Sequence, residues 1–198
     1  MRKGLTQRDY KEAALVLGCE VEVIEAVAKV ESRSSGFNKD GSPKILFEAH
    51  IFYSEIKKLG LRPEDYQEGN EDIIQKSWSK GSKYYKGGIA EYSRLDKAFM
   101  LFPEAALKSA SYGKFQIMGF NHDKCGYSDV INFVLAMDLD VNTHLRAFVS
   151  FVKYRKIDKY LRSKNWAKFA YYYNGAGYAK HNYDGKMEQE YKKLKGIG

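Results

Sequence analysis

The segment VEVIEAVAKVE places Glu31 three residues after Ala28, four after Val27 and seven after Ile24, so its carboxyl leaves the end of an otherwise apolar helical stripe. A carboxyl in apolar surroundings loses the solvation of its charged form, and a helix C-terminus disfavours negative charge. Both effects raise its pKa. A carboxylic acid that stays protonated near neutral pH is what general acid catalysis requires. The same position also suits an ordinary helix-end acid that reaches water. Two later segments supply polar groups of a complementary kind. Residues 109–118 read SASYGKFQIM, a small-residue turn leading into an apolar run with one amide, Gln116. Residues 171–178 read YYYNGAGY, three tyrosines running into an Asn-Gly turn. Amides and tyrosines beside loops suit hydrogen bonding to sugar hydroxyl and acetamido groups, with aromatic faces stacking on the rings. Taken singly, aromatic stripes also form cores and Asn-Gly also forms plain turns.

Positioning these groups falls to helices. With three prolines and apolar residues mostly at helical spacing, the sequence predicts a mainly α fold with at most a small β-hairpin, in one domain over residues 1–198. Thr6 followed by Asp9 opens a first helix through Leu17, which Gly18 closes. A second helix covers residues 20–32. Residues 33–46 (RSSGFNKDGSPKIL) are a turn-rich excursion, a short hairpin or irregular loop, and helical spacing resumes over 47–59. Residues 60–88 are polar and poorly periodic, which reads as a long surface excursion. Helices return over 89–101 and over 103–109, where Pro103 suits a first turn. Val141, Leu145, Phe148 and Val152 mark another, and residues 166–173 a further short one.

The chain has 198 residues, 44% hydrophobic and 29% charged, which is enough for a sizeable core and excludes a disordered or fibrous chain. No run approaches the roughly 18 apolar residues of a membrane span. Residues 1–10 lack the layout of a secretory signal, so synthesis in the cytoplasm is expected. Cys19 and Cys125 are too few for a disulfide scaffold and are expected as free thiols. The net charge of +8 lies entirely within residues 151–198, which hold twelve basic and four acidic residues. Such a field favours a polyanion, whether nucleic acid, membrane surface or anionic cell wall, and serves equally as a solvated helical face. A nucleic-acid partner would rest on this charge alone, because no helix-turn-helix or RNA-recognition pattern accompanies it. His122 precedes Cys125 by three residues, but Cys19, His50, His144 and His181 supply no second close-spaced pair, so no metal is expected. No nucleotide-cradling glycine loop or serine-nucleophile elbow is present, and no cofactor is expected.

In this order, AVAKVESRSSGF, SYGKFQIMGFNH and YYYNGAGYA together resemble the active-site sequence of goose-type lysozymes and soluble lytic transglycosylases. They are more similar still to phage and prophage endolysin N-acetylmuramidases, which PKILFEAHIFY and NYDGKM also resemble. The resemblance runs from about residue 21 to residue 194. It implies a lysozyme-like fold and hydrolysis of the β-1,4 bond between N-acetylmuramic acid and N-acetylglucosamine in peptidoglycan, causing lysis. Carried over residue by residue, Glu31 matches the catalytic acid, and Ser111, Gly113 and Gln116 match the motif lining the cleft. Tyr173 and Asn174 match the pair beside the acid and the sugar, with Tyr173 placed to orient the Glu31 carboxyl. A lysin without an export signal would wait in the host cytoplasm and act in the periplasm after release. Peptidoglycan is the implied partner, an anionic envelope surface a further one, and a monomer without a separate wall-binding domain is expected.

About 80 residues separate Glu31 from Ser111, more than in compact lytic transglycosylases, and Glu48 lies between them. A hydrolase that inverts needs a second carboxylate, held about 6.5 to 9.5 Å from the acid, to activate water. Glu48 is the best candidate, with Asp40 and Asp96 behind it. Glu48 also reads as a structural acid paired with His50 or capping a helix. Two rival functions stay open. A lytic transglycosylase would use one acid and let the muramic 6-hydroxyl attack, giving a 1,6-anhydro product. A wall-binding module would keep the cleft without chemistry, against which the intact Glu31 argues.

Overall fold

The computed structural model describes residues 4–31 and 36–197. Ser32 and residues 33–35, which the sequence reading assigns to a helix end and a loop, lie outside the described residues. Helix α1 (Gln7–Leu17) starts at a reciprocal cap: the Thr6 hydroxyl accepts from the Asp9 amide while the Asp9 carboxylate accepts from the Thr6 amide. Gly18, at φ 67°, ends it, as the sequence predicts. Helix α2 (Val21–Glu31) buries Val23, Ile24, Ala26, Val27 and Ala28, so the apolar stripe that leads to Glu31 is a core stripe.

After α2 come β1 (Ile45–Phe47), α3 (Ala49–Lys58), the single turn α4 (Trp78–Gly81), α5 (Tyr92–Leu101) and α6 (Pro103–Lys108). Strands β2 (Ala110–Tyr112) and β3 (Ile117–Met118) follow, then α7 (Val130–Met137), α8 (Val141–Tyr154), α9 (Asp158–Arg162), α10 (Trp166–Asn174) and α11 (Tyr183–Lys195). The three strands form an antiparallel sheet in the order β1-β2-β3. Its β2–β3 hairpin comes from the SASYGKFQIM segment, and β1 adds a third strand over a long sequence separation. In register, Leu46 faces Ser111 and Ser111 faces Met118. Ile45, Phe47, Ala110, Tyr112 and Ile117 are buried. By alternation, Leu46, Glu48 and Ser111 share the opposite face.

Two bodies of packing meet across that sheet. In the first, α11 lies along α2 and α10, and α1 packs on α2 and α8. Helix α8 starts at Asp140, whose side chain accepts from the Thr143 amide, and buries His144, Leu145, Phe148, Phe151 and Val152. In the second, α3 and α5 pack on α6, and α5 touches β1. Phe47, read as helical from spacing, instead ends β1, and the helix begins at Ala49. The cause is tertiary: the Phe47 amide donates to Glu91 and its carbonyl accepts from Arg94, so the backbone is held extended. Residues 60–88 also differ from a free excursion. They contain short 3-10 turns, and Ile73 and Ile74 are fully buried.

Candidate active site

Glu31 is the last described residue of α2. Its residue is half-buried, and Asn174 Nδ2 donates to its Oε1 at 3.0 Å. Burial pushes the carboxyl up to about 7, while the Asn174 amide, which favours the charged form, pulls weakly the other way. No cationic partner of Glu31 occurs among the described residues. A carboxyl that titrates near 7 keeps a sizeable protonated fraction at neutral pH and can hand that proton to a bound oxygen.

Asn174 reaches Glu31 because α10 is pinned beneath it. Tyr173 stacks on Phe169 at 5.5 Å and meets Phe148 and Phe151 edge-on. Phe115, from the hairpin, stacks on Phe148 at 4.5 Å. The Tyr173 hydroxyl donates to the Phe115 carbonyl at 3.1 Å. The sequence reading gave Tyr173 the task of orienting the Glu31 carboxyl. Its single proton is spent on Phe115, and Asn174 makes the direct bond; Tyr173 ties α10 to the hairpin that faces Glu31.

That hairpin is locked by its own motif. Ser111 Oγ donates to Gln116 Oε1 at 2.8 Å, and Gln116 Nε2 donates to the carbonyls of Gly113 at 2.8 Å and Lys44 at 3.1 Å. Gln116 takes φ 48°, a costly value for a non-glycine residue that these three bonds maintain. Both amide protons of Gln116 are therefore used internally. Gly113, at φ 72°, approaches the His144 ring so closely that a Cβ there would sit 2.7 Å from it. His144 accepts from the Lys114 amide through Nδ1 at 3.0 Å, and its Nε2 lies 2.7 Å from the Met137 carbonyl, which fixes the Nε2-protonated tautomer. Burial lowers its pKa, consistent with a neutral ring.

Glu48 occupies the N-cap position of α3, although its side chain makes no capping bond. Its Oε2 accepts from the Tyr85 hydroxyl and lies 3.3 Å from His50 Nδ1, a buried nitrogen without a hydrogen-bond partner among the described residues. Its Oε1 has no hydrogen-bond partner among the described residues. One oxygen is thus held, on a side chain that is 15% exposed. Asp40 caps a turn, accepting from the Ser42 amide and hydroxyl, and Asp96 is exposed on α5.

Sequence reasoning missed the group that holds Glu48 in place. Arg94 and Glu91 are both fully buried and paired at 2.8 Å. Arg94 donates to the carbonyls of Phe47 and Asp72, and Glu91 accepts from the amides of Phe47, Lys86 and Gly87. The Arg94 guanidinium also lies 5.6 Å from the centre of the Tyr85 ring, the tyrosine that reaches Glu48. Glu91 and Arg94 stand three apart, the spacing of countless exposed helix pairs, so the sequence carries no sign that this one is buried. Cys19 and Cys125 are both free, and burial raises both thiols, to about 11 and about 12.

The N-acetylmuramidase family model matches residues 20–195. The chain belongs to the N-acetylmuramidase family. No curated protein matches it significantly. Among solved structures it is similar to the crystal structure of a Burkholderia AP3 phage endolysin, with 38% identity and a TM-score of 0.89. That match covers 98% of this chain and 72% of the endolysin chain. The family and this neighbour support a peptidoglycan-cleaving enzyme on a mainly helical, lysozyme-like fold. No described helix is long and apolar enough to cross a membrane.

Proposed function

We propose that the chain cleaves the β-1,4 bond between N-acetylmuramic acid and N-acetylglucosamine, with Glu31 as the general acid. The observation that carries this is the Glu31 carboxyl itself, desolvated, without a cationic partner among the described residues, and accepting from the Asn174 amide. A glycan strand lies between the end of α2 and the hairpin, and Glu31 protonates the bridging oxygen as an oxocarbenium-like transition state develops. Glu48 activates the attacking water through Oε1, while Tyr85 holds Oε2. Ser111 and Gln116 shape the cleft wall, and Asn174 orients the acid and meets the sugar. In the cell the protein would be made in the host cytoplasm and act on the periplasmic wall, as a monomer, aided by its cationic last quarter.

Digests of purified peptidoglycan test the reaction. Products ending in reducing N-acetylmuramic acid are expected. Products one water lighter, ending in 1,6-anhydro-muramic acid, would instead assign a lytic transglycosylase and remove Glu48 from the chemistry. Glu31→Gln, folded and unable to clear wall suspensions, is the matching control.

A further inference from the structure

The three tyrosines that open the YYYNGAGY motif divide by direction. Tyr173 turns inward, whereas Tyr171 and Tyr172 remain 49% and 43% exposed. They do not stand alone. Tyr172 stacks on Tyr160 of α9, with planes 1° from parallel and centres 5.4 Å apart. Tyr171 meets Tyr172 edge-on at 5.2 Å and Tyr178 at 6.3 Å. Four rings therefore run in unbroken contact across the outside of α9 and α10 to the turn beyond Asn174. Cations flank them: Lys159 Nζ lies 5.1 Å and Lys168 Nζ 6.0 Å from the centre of Tyr160, and Arg155 Nη2 donates to the Tyr172 carbonyl at 3.4 Å. Exposed large aromatics are costly to leave against water and gather at binding surfaces.

We propose that this tyrosine row is a second carbohydrate-binding surface, outside the cleft, for peptidoglycan carrying its anionic stem peptides. Exposed rings stack on the apolar faces of pyranose units, hydroxyls at the ring edges reach sugar oxygens, and the lysines face stem-peptide carboxylates. The surface sits in the quarter of the chain that holds the whole net positive charge. It also begins one turn of α10 from Asn174, which bonds Glu31. The proposal rests on the reading of peptidoglycan as substrate. A nucleic acid would also stack on tyrosine and pair with lysine, but the chain's membership of the N-acetylmuramidase family favours the glycan.

Sedimentation with purified sacculi tests it, using the full chain carrying Glu31→Gln so that binding is read without cleavage. On that background Tyr171→Ser with Tyr172→Ser is expected to weaken binding about tenfold, the size of effect that exposed aromatic anchors carry. Lys168→Glu is expected to weaken binding to intact sacculi at low salt and to leave binding to amidase-stripped sacculi unchanged. If loss of the Tyr160 stack unfolds the double variant, Tyr171→Ser alone, which removes only edge contacts, carries the test. Undiminished sacculus binding by a folded variant would overturn the proposal, as would loss of binding to a duplex DNA probe without loss of sacculus binding. A Glu31→Gln parent that itself fails to sediment with sacculi would count against the peptidoglycan reading, so the two can fail separately.

Discussion

Two acids, Glu31 at the end of α2 and Glu91 beside β1, are both withdrawn from water, yet they are driven in opposite directions. For Glu91, burial favours the neutral form, but the amides of Gly87 and Lys86, the Arg94 guanidinium and the Phe47 amide together outweigh it. Its carboxyl lies below the ordinary value of 4.5 and stays charged. Glu31 is half-buried, accepts from one amide among the described residues, and rises to about 7. Burial alone therefore does not make a proton donor; the number of donors left around the carboxylate decides. The Glu91 region is an anchor saturated with partners, whereas among the described residues Glu31 has the Asn174 amide alone.

The largest expected effects come from removing either end of this contrast. Glu31→Gln is expected to lower lytic activity by roughly 10²- to 10⁴-fold, the range of general acid catalysis, with normal folding by circular dichroism. Its effect on stability carries a sign. Because the folded Glu31 holds its proton more tightly than the unfolded chain, its favourable contribution is full below about 4.5 and is lost as pH rises through about 7. Glu31→Gln should then stabilise the protein at pH 8, by up to about 3 kcal/mol, and change little at pH 4; melting curves at both pH values read this. Glu91 contributes the other way, with stability present above 4.5 and lost on acidification.

Arg94→Met removes the partner and leaves the Glu91 charge buried. A loss of about 3 to 5 kcal/mol in chemical denaturation is expected, together with release of the Tyr85 contact to Glu48. Smaller effects separate the two residues beneath Glu31. Tyr173→Phe leaves the Phe115 carbonyl unpaired and should cost about 1 to 3 kcal/mol of stability, while the pH at which activity falls stays in place. Asn174→Ala removes the one bond that favours the charged acid. The alkaline limb of the pH–activity profile is expected to move to higher pH, with a loss of activity on the order of tenfold from the less ordered carboxyl.

These contrasts also explain what the sequence shows and what it hides. Helices α1, α2 and α8 were legible because capping residues and one apolar stripe, such as Ile24, Val27 and Ala28, act within a few residues of chain. Glu31 was legible for the same reason, since its stripe and its helix end are local. Helix α11 is harder to see: it buries only Met187 and Tyr191 fully and covers the rest with charge, so its four-residue spacing hides in a basic tail. The hairpin motif was visible as a turn, but β1 was not, because its pairing with Ala110, Ser111 and Tyr112 spans more than sixty residues. Phe47 reads as helical by spacing and is extended because Glu91 and Arg94, far along the chain, hold both its backbone groups. The direction of Tyr173 was hidden likewise: only the packing of Phe115 on Phe148 brings a carbonyl to its hydroxyl.

Burial lifts Glu31 so that it titrates near neutral pH, while the partners of Glu91 keep it charged. A carbon-13 NMR titration of the glutamate carboxyls, assigned through Glu31→Gln and Glu91→Gln, measures this directly. The account expects the Glu31 resonance to titrate near pH 7 and the Glu91 resonance below 4.5. A Glu31 resonance that titrates at 4.5, like an exposed side chain, would contradict it.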